Sequence, residues 1–189
     1  MANRTEPIRN PEHVRALLNH FKVKKQYRDY TLVAVGIFTG LRICDILRLR
    51  TSDMFDLKTG KMLESVSIIE QKTGKHLTFS LNPVVINALN LYLPKVTADV
   101  PLILNERTGN AISRQQAHRI VSEAAVEVGI PHAVSCHSLR KTFGYHCFKS
   151  EINPMVIMEL FNHSSYETTR RYIGITQDDK NDVYLNLRI

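Results

Sequence analysis

Six side chains in this sequence could together break and remake a phosphodiester bond. They are two arginines, a lysine, two histidines and a late tyrosine, namely Arg42, Lys72, His137, Arg140, His163 and Tyr172. Arginine guanidiniums can hold the non-bridging oxygens of a phosphate, and a lysine or histidine can protonate the leaving oxygen. A tyrosine hydroxyl can attack the phosphorus and retain it as a covalent ester. This set of residue types therefore predicts phosphoryl transfer through a tyrosine.

His137 and Arg140 are three positions apart, in the segment His-Ser-Leu-Arg. On a helix, residues with this spacing lie on one face, so both side chains can reach one phosphate. The spacing alone is weak evidence, because eight histidines produce one such pair by chance about half the time at ordinary arginine frequencies. In isolation the pair is more typical of a surface histidine beside a solvated arginine.

Arg42 follows a glycine turn at the beginning of a helix, in the segment Thr-Gly-Leu-Arg-Ile-Cys-Asp at 39–45. Backbone N–H groups at the N-terminus of a helix favour a bound anion. Asp45 lies one turn later and could brace the Arg42 guanidinium. The alternative is an ordinary surface salt bridge between the two residues, which contributes little to stability.

Tyr172 lies nine residues after His163. Between them, Ser-Ser-Tyr-Glu at 164–167 has the pattern of a capping box, which predicts a helix that carries the tyrosine. The alternatives are a loop or capping histidine and a tyrosine of the hydrophobic core. Arg170 and Arg171, next to the tyrosine, are either solvated charges or contacts to phosphate.

The charge balance of the chain favours a polyanionic partner. Among the 189 residues, 25 are Lys or Arg and 18 are Asp or Glu, which gives a formal net charge of +7 and a pI of about 9.4. Nucleic acid is the simplest partner for such a balance. The length suits one domain with a full hydrophobic core.

The cysteines Cys44, Cys136 and Cys147 lack CxxC spacing, which indicates a reduced, intracellular protein. The N-terminus has no apolar signal segment, and the longest apolar run, around 32–38, is far too short to cross a bilayer. We therefore expect a cytoplasmic protein without a membrane partner, located with the DNA if DNA is bound.

The sequence also argues against a cofactor. It contains no P-loop, no metal-type carboxylate cluster and no ligand-spaced Cys/His set. A phosphotyrosine ester conserves the energy of the broken bond, so we expect neither a metal nor ATP. The alternative is a zinc site formed by His132, Cys136 and His146.

Hydrophobic spacing and capping residues predict a mainly helical domain with one small antiparallel sheet, an α+β fold. Helices are expected over 11–21, 27–39, 42–49, 83–93, 114–128, the segment around 137–140, 154–161, the segment through Tyr172, and the residues from Thr176 onward. Residues 62–70 and 76–81 are predicted to form two strands joined by a hairpin turn at 72–75, and Leu77, Phe79 and Leu81 alternate with polar residues in the second. A further short strand is expected over 102–104.

Taken together, these segments resemble the tyrosine recombinase (phage integrase) family, which shares its catalytic core with type IB topoisomerases. The resemblance covers roughly 7–176. T-G-L-R-I-C-D-I-L-R-L at 39–49 is similar to the first-arginine box of the family, and Q-K-T-G-K at 71–75 to its hairpin lysine. H-S-L-R-K-T-F at 137–143 is similar to the box that holds the second arginine. L-F-N-H-S-S at 160–165, followed by T-T-R-R-Y, is similar to the ending that carries the nucleophile.

The sequence departs from the family pattern in two side chains and at its front. Asn162 replaces the usual glycine before the histidine, and Asp45 replaces the commoner glutamate; neither change removes a functional group. Family members usually carry an N-terminal core-binding domain, and here the resemblance begins almost at Met1. We expect a single catalytic domain over 1–189, either free-standing, similar to the fimbrial-switch invertases, or truncated. The C-terminal segment, 177–189, is expected to dock on a neighbouring protomer or to pack on its own domain.

The resemblance implies a role for each residue. Tyr172 attacks the phosphorus and forms a 3′-phosphotyrosyl bond with double-stranded DNA, while His137 manages the proton of the tyrosine. Arg42 and Arg140 are the phosphate clamps, and His163 is a further hydrogen-bond donor. Lys72 is the acid that protonates the 5′-oxygen, and Lys75 is the alternative to it. Contacts to the DNA backbone are expected from Lys75, Lys141, Arg170 and Arg171.

Three functions are considered for the chain. The resemblance implies a site-specific recombinase or integrase that works as a tetramer on DNA. The first alternative is a monomer that nicks and rejoins DNA in the manner of a type IB topoisomerase. The second is a catalytically silent DNA-binding accessory factor.

Overall fold

The structure, a computed structural model, describes residues 5–175, 181 and 184–186. In chain order its elements are α1 (Pro11–Val23), α2 (Tyr27–Thr39), α3 (Ile43–Ile46), α4 (Thr51–Met54), β1 (Ser65–Ile69), β2 (His76–Ser80), α5 (Pro83–Tyr92), β3 (Leu104–Asn105), β4 (Asn110–Ala111), α6 (Arg114–Glu127), α7 (Cys136–Lys149), α8 (Pro154–Leu160) and α9 (Tyr166–Ile173). The expected mainly helical α+β class is confirmed. Among the described residues, no helix is both long enough and apolar enough to cross a membrane.

Helix α1 begins where the sequence predicts it, because Asn10 caps it. The Asn10 side chain accepts a hydrogen bond from the backbone of Glu12 at 2.8 Å, and Pro11 occupies the first turn, where its missing N–H costs nothing. The buried residues Val14, Leu17 and Phe21 lie on one face of the helix. This face packs against α2.

Helix α2 is the centre of the fold and has the predicted bounds. It is buried along most of its length and packs against α1, α5 and α7. It ends at Gly40, whose φ of +65° favours glycine. An added Cβ at Gly40 would lie 2.5 Å from Cδ1 of Phe143 on α7, so the end of α2 and α7 meet closely. Arg42 follows directly and precedes α3.

The helix expected over 42–49 is one turn long, which corrects the prediction. Leu49 and the residues after it leave the helix because they pair with a distant segment. The Leu49 carbonyl accepts from the backbone N–H of Leu102 at 2.8 Å, and the N–H of Thr51 donates to Val100 at 2.9 Å. A second short helix, α4, follows. The strand expected over 102–104 is replaced by a second small sheet, β3 with β4.

The predicted hairpin is confirmed. Strands β1 and β2 are antiparallel, with Ser65 opposite Ser80 and Ile69 opposite His76, so residues 70–75 form the turn. Strand β1 begins at Ser65 rather than three residues earlier, because Met62 instead forms an isolated bridge with Phe55.

The C-terminal helices form a second, smaller core. The buried residues Ile157, Phe161 and Ile173 pack with Phe143 and Tyr172, which brings α7, α8 and α9 together. This cluster places the tyrosine helix against the helix of His137 and Arg140.

The caps of these helices match the prediction with one shift. Ser135 forms a capping box with Ser138 at the start of α7. Helix α9 is capped by Ser165, which accepts from the backbone of Thr168 at 3.4 Å, so its cap lies one residue after the expected Ser164. The helix expected from Thr176 and the docking of 177–189 lie outside the described residues, apart from 181 and 184–186, which are helical.

Candidate active site

Arg140 is the most deeply buried cation among the predicted site residues. Its side chain is 1% exposed, and its guanidinium lies 4.4 Å over the ring centroid of Phe161. Nη1 donates to the carbonyl of Gly40 at 2.5 Å, and Nη2 donates to the carbonyl of Phe161 at 2.9 Å. Burial lowers the pKa of Arg140 to about 10, and the positive charge of Arg42 contributes. Arg140 therefore remains charged at neutral pH and is held by the ends of α2 and α8.

Arg42 approaches the same point from α3. It is half-buried, its Nη1 pairs with the carboxylate of Glu70, and its Nη2 lies 3.5 Å from the carbonyl oxygen of Phe161. That oxygen also accepts from Arg140, so the two arginines of the sequence pattern converge on one atom. An oxygen of a bound phosphate could be reached by both guanidiniums in the same way.

Asp45 does not brace Arg42 as expected. Its Oδ1 accepts from the backbone N–H of Gln71 at 2.8 Å, and its buried Oδ2 has no hydrogen-bond partner among the described residues. The acid that binds Arg42 is Glu70, which the sequence reasoning missed. The sequence held one sign of this role, because Glu70 is a single acidic residue between an apolar strand and the Q-K-T-G-K turn.

Glu70 lies at the base of the hairpin and anchors it. Its carboxylate accepts from the hydroxyl of Thr73 at 2.7 Å and from the amide of Asn162 at 2.9 Å. Lys72 and Lys75 are exposed on the turn above it. The positive charge of Lys72 is one of those that lower the pKa of His137, so the turn extends toward the rest of the site.

His137 lies in the first turn of α7 and faces Tyr172. The two ring centroids are 5.0 Å apart, in an edge-to-face arrangement at 77°. Desolvation of the ring lowers the pKa of His137 to about 4, although the residue keeps an exposed surface, and the positive charges of Lys141 and Arg140 lower it further. The imidazole is therefore neutral at neutral pH and able to accept a proton.

His163 also contacts the tyrosine ring. Its ring centroid lies 4.7 Å from that of Tyr172, and its Nδ1 is hydrogen-bonded to the hydroxyl of the buried Thr169 at 3.0 Å. Burial lowers the pKa of His163 to about 4, and the positive charges of Arg140 and Arg42 act in the same direction. This ring is also neutral, and Nε2 is the nitrogen left for a ligand.

Tyr172 is half-buried at the centre of these groups. Besides the two histidines, its ring contacts Phe161 at 5.4 Å, and the guanidinium carbon of Arg140 lies 5.9 Å from its centroid. The structure therefore brings five of the six predicted residues into one cluster, with Lys72 on the adjoining hairpin.

The residues expected to contact a DNA backbone differ in how exposed their side chains are. Lys141 is buried, and its Nζ donates to the carbonyl of Thr5 at 2.5 Å and lies 5.9 Å from the ring of Tyr172, so its contact to a DNA backbone stays a prediction. Lys75 is exposed, and Arg170 is exposed and pairs with Glu167 at 3.5 Å. The side chain of Arg171 lies outside the described residues.

The alternative zinc site finds no support. Within residues 5–175, 181 and 184–186, no group of three His, Cys, Asp or Glu side chains could hold a metal ion. His146, one of the three candidate ligands, instead has its Nε2 3.0 Å from the carbonyl oxygen of Ile8.

The arrangement favours a tetrahedral anion next to a phenol. Two guanidiniums supply positive charge and forked donors, and two neutral imidazoles lie against the tyrosine ring. Such preorganised donors stabilise charge that develops on a phosphoryl group under attack.

Comparison with known proteins gives consistent results. The Phage integrase family model matches residues 9–178. The chain is 33% identical over 179 residues to the probable integrase/recombinase YoeC of Bacillus subtilis strain 168, covering 95% of this chain and 94% of YoeC. It spans about half the length of the curated tyrosine recombinases XerC and XerD that it also matches.

Two solved structures share the fold. The XerA recombinase superposes with a TM-score of 0.78 at 20% identity, covering 97% of this chain and 67% of XerA. The XerH site-specific recombinase, bound to its difH substrate before cleavage, superposes with a TM-score of 0.69 at 20% identity, covering 95% of this chain and 54% of XerH.

Proposed function

Because the chain belongs to the phage integrase family, we propose that it is the catalytic domain of a site-specific DNA recombinase that cleaves and rejoins strands through Tyr172. The observation that carries the proposal is the convergence of Arg42 and Arg140 on one oxygen position beside the ring of Tyr172. The domain comprises at least the matched segment 9–178.

In the proposed cleavage step, the Tyr172 hydroxyl oxygen bonds to the scissile phosphorus and the bond from phosphorus to the 5′-oxygen breaks. The product is a 3′-phosphotyrosyl ester and a free 5′-hydroxyl. A tyrosine hydroxyl has an ordinary pKa near 10, so it needs a proton acceptor at neutral pH. His137, whose ring is neutral and 5.0 Å from the tyrosine ring, accepts that proton.

Arg42 and Arg140 bind the two non-bridging oxygens. In the free protein the Phe161 carbonyl accepts from both guanidiniums, and a phosphate oxygen is a stronger acceptor for a cation than a neutral carbonyl. His163 adds a donor from Nε2, since Nδ1 is engaged by Thr169. Lys72 donates a proton to the leaving 5′-oxygen, and Lys75 is the alternative donor on the same turn.

The proposed partners are double-stranded DNA and further copies of the chain. The structural neighbour XerH is bound to its DNA substrate, and the net charge of +7 favours a polyanion. Reciprocal strand exchange at two duplexes needs four tyrosines, so we propose a tetramer on DNA, with segment 177–189 docking on a neighbour. We also propose a cytoplasmic location, with the DNA.

The test is the capture of the covalent ester. Nicked duplexes with randomised arms trap an enzyme that cleaves near the nick, because the short strand beyond the break diffuses away. We expect an SDS-resistant adduct in the presence of EDTA, and sequencing the attached strand gives the target. Tyr172→Phe should form none. The absence of any adduct from the wild type, with DNA binding retained, would favour the accessory factor instead.

A second assay separates the topoisomerase-like alternative. A monomer that nicks and rejoins without a specific site relaxes supercoiled plasmids of any sequence. A recombinase acts only on plasmids that carry the recovered target. Relaxation that is independent of the target would therefore exclude the recombinase.

A further inference from the structure

The carboxylate of Glu70 is completely buried, which is unusual for an acid. All of its described contacts lead to the proposed active site. One oxygen pairs with Nη1 of Arg42, and the other accepts from Thr73 and from Asn162. A buried carboxylate is tolerated when it is paired and hydrogen-bonded in this way.

The first link joins Glu70 to the hairpin that carries Lys72. Thr73, the next residue after the lysine, donates its hydroxyl hydrogen to the Glu70 carboxylate at 2.7 Å. The backbone adds two bonds, because the N–H of Gly74 donates to the carbonyl of Glu70 at 2.9 Å and the N–H of Glu70 donates to Lys75 at 3.0 Å. Lys72 is exposed, so these bonds at the base of the turn determine its position.

The second link joins Glu70 to the turn before His163. Asn162 has a φ of +51°, in the left-handed region that suits glycine and is tolerated by asparagine. Its side-chain amide donates to Glu70 at 2.9 Å across a sequence separation of 92 residues. A glycine at this position would fit the backbone equally well and would make no such bond. The asparagine therefore adds a connection that the backbone does not require.

We infer that Glu70 is a positioning residue that couples three groups of the proposed reaction, and the inference rests on the proposed function. It fixes one edge of the Arg42 guanidinium, the base of the Lys72 hairpin and, through Asn162, the turn that presents His163. Engagement of Nη1 leaves the Nε and Nη2 donors of Arg42 for a phosphate. Small displacements of such groups have large effects on rate.

The first experiment measures the coupling without any reaction. Hydrogen exchange of the full chain is compared between the wild type and Asn162→Gly, a change that the backbone accommodates. Loss of the Asn162 side-chain amide should speed hydrogen exchange of the backbone N–H groups of Glu70 and Gly74, on the distant hairpin, by roughly tenfold. Asn110→Gly is the matched control, because the Asn110 amide donates within its own turn. Unchanged exchange at the hairpin would overturn the coupling.

The second experiment asks whether Glu70 acts through Lys72. Cleavage is measured on the target duplex and on one in which sulfur replaces the leaving 5′-oxygen, because a thiolate leaves without a proton. Glu70→Gln and Asn162→Gly should each slow cleavage of the normal duplex, Glu70→Gln by roughly 100-fold and Asn162→Gly by less. On the sulfur duplex both should recover a large part of the rate, and Lys72→Ala should do the same.

The possible outcomes distinguish a failure of the positioning role of Glu70 from a failure of the proposed function. A damaged fold would slow cleavage of both duplexes equally, and equal slowing would overturn the role of Glu70 in positioning the lysine while leaving the proposed function intact. A wild type that forms no adduct on any duplex would overturn the proposed function and the positioning role with it.

Discussion

Arg42 and Arg140, separated by 98 positions in the sequence, donate to the same carbonyl oxygen at 3.5 and 2.9 Å. Two cations held this close repel each other, and water screens the repulsion poorly because Arg140 is buried. Consistent with this, Arg42 contributes to the lowered pKa of Arg140, after burial itself. An anion bound between them relieves the repulsion, so the pair is poised for a phosphate.

This relationship predicts that inorganic oxyanions stabilise the free protein. Sulfate or phosphate at ten times its dissociation constant adds about 1.4 kcal/mol to the free energy of unfolding, which raises Tm by about 3–5 °C in a chain of this size. Thermal unfolding in sulfate, with chloride at equal ionic strength as reference, measures the effect. Arg42→Ala should abolish it, and Arg15→Ala, which alters an exposed pair with Glu12, should not. An equal rise in both variants would contradict the prediction.

Lysine substitutions test whether the forked geometry of the arginines matters, since lysine keeps the charge. Arg42→Lys and Arg140→Lys should slow formation of the covalent adduct by about 100- to 1,000-fold, a typical loss for a donor to a developing charge. DNA affinity should change little, because the net charge is preserved. Arg140→Lys should also lower the free energy of unfolding by about 1–2 kcal/mol, since one ammonium replaces two carbonyl contacts poorly.

Adduct formation in single-turnover reactions and binding in a filter assay give the two quantities. A lysine variant that cleaves at the wild-type rate would show that charge alone suffices at that position. A variant that loses binding and cleavage together would show a defect in DNA contact rather than in the phosphate clamp.

The sequence predicted what depends on local patterns. The bounds of α2, Tyr27–Thr39, follow from an apolar run that ends at a glycine, and the hairpin follows from alternation around a short turn. The cluster around Tyr172 was predicted from several short motifs taken together, because no single one is specific.

The features that were missed depend on distant partners. Glu70 binds residues that lie 28 and 92 positions away, Arg42 and Asn162, so its partners do not follow from the sequence next to it. The early end of α3 depends on Leu49 pairing with Leu102, a contact invisible to helical periodicity. Asp45 was expected to bind Arg42 because the two lie one turn apart, but its carboxylate accepts from Gln71 instead.

Acidification should destabilise the protein through His163. Its pKa is lowered to about 4, by burial first and then by Arg140 and Arg42, whereas an unfolded histidine titrates near 6.5. Between these values the unfolded chain binds a proton that the native chain does not, so the free energy of unfolding falls as the pH falls from about 6.5 to about 4. Urea denaturation at about pH 7.5 and pH 5.0 measures the difference.

The same measurement on two variants assigns the effect. His163→Asn should show a smaller loss of stability between the two pH values than the wild type. His118→Asn, at an exposed position of α6, is the control and should lose as much stability as the wild type. If His163→Asn loses as much as the wild type, His163 is not the group responsible.

Gly40 and Gly60 have the same backbone conformation, so alanine substitutions at the two positions distinguish the cost of backbone strain from the cost of a packing clash. Gly40 and Gly60 have φ values of +65° and +68°, but an added Cβ meets the ring of Phe143 at Gly40 and nothing within 4 Å at Gly60. Gly60→Ala should lower the free energy of unfolding by about 1–2 kcal/mol, the cost of a left-handed alanine. Gly40→Ala adds a steric clash worth about 1–3 kcal/mol.

Because the Gly40 carbonyl also holds Arg140, Gly40→Ala should slow adduct formation as well, while Gly60→Ala should leave it unchanged. Equal losses of stability in the two variants would show that α2 and α7 are not in close contact at this point.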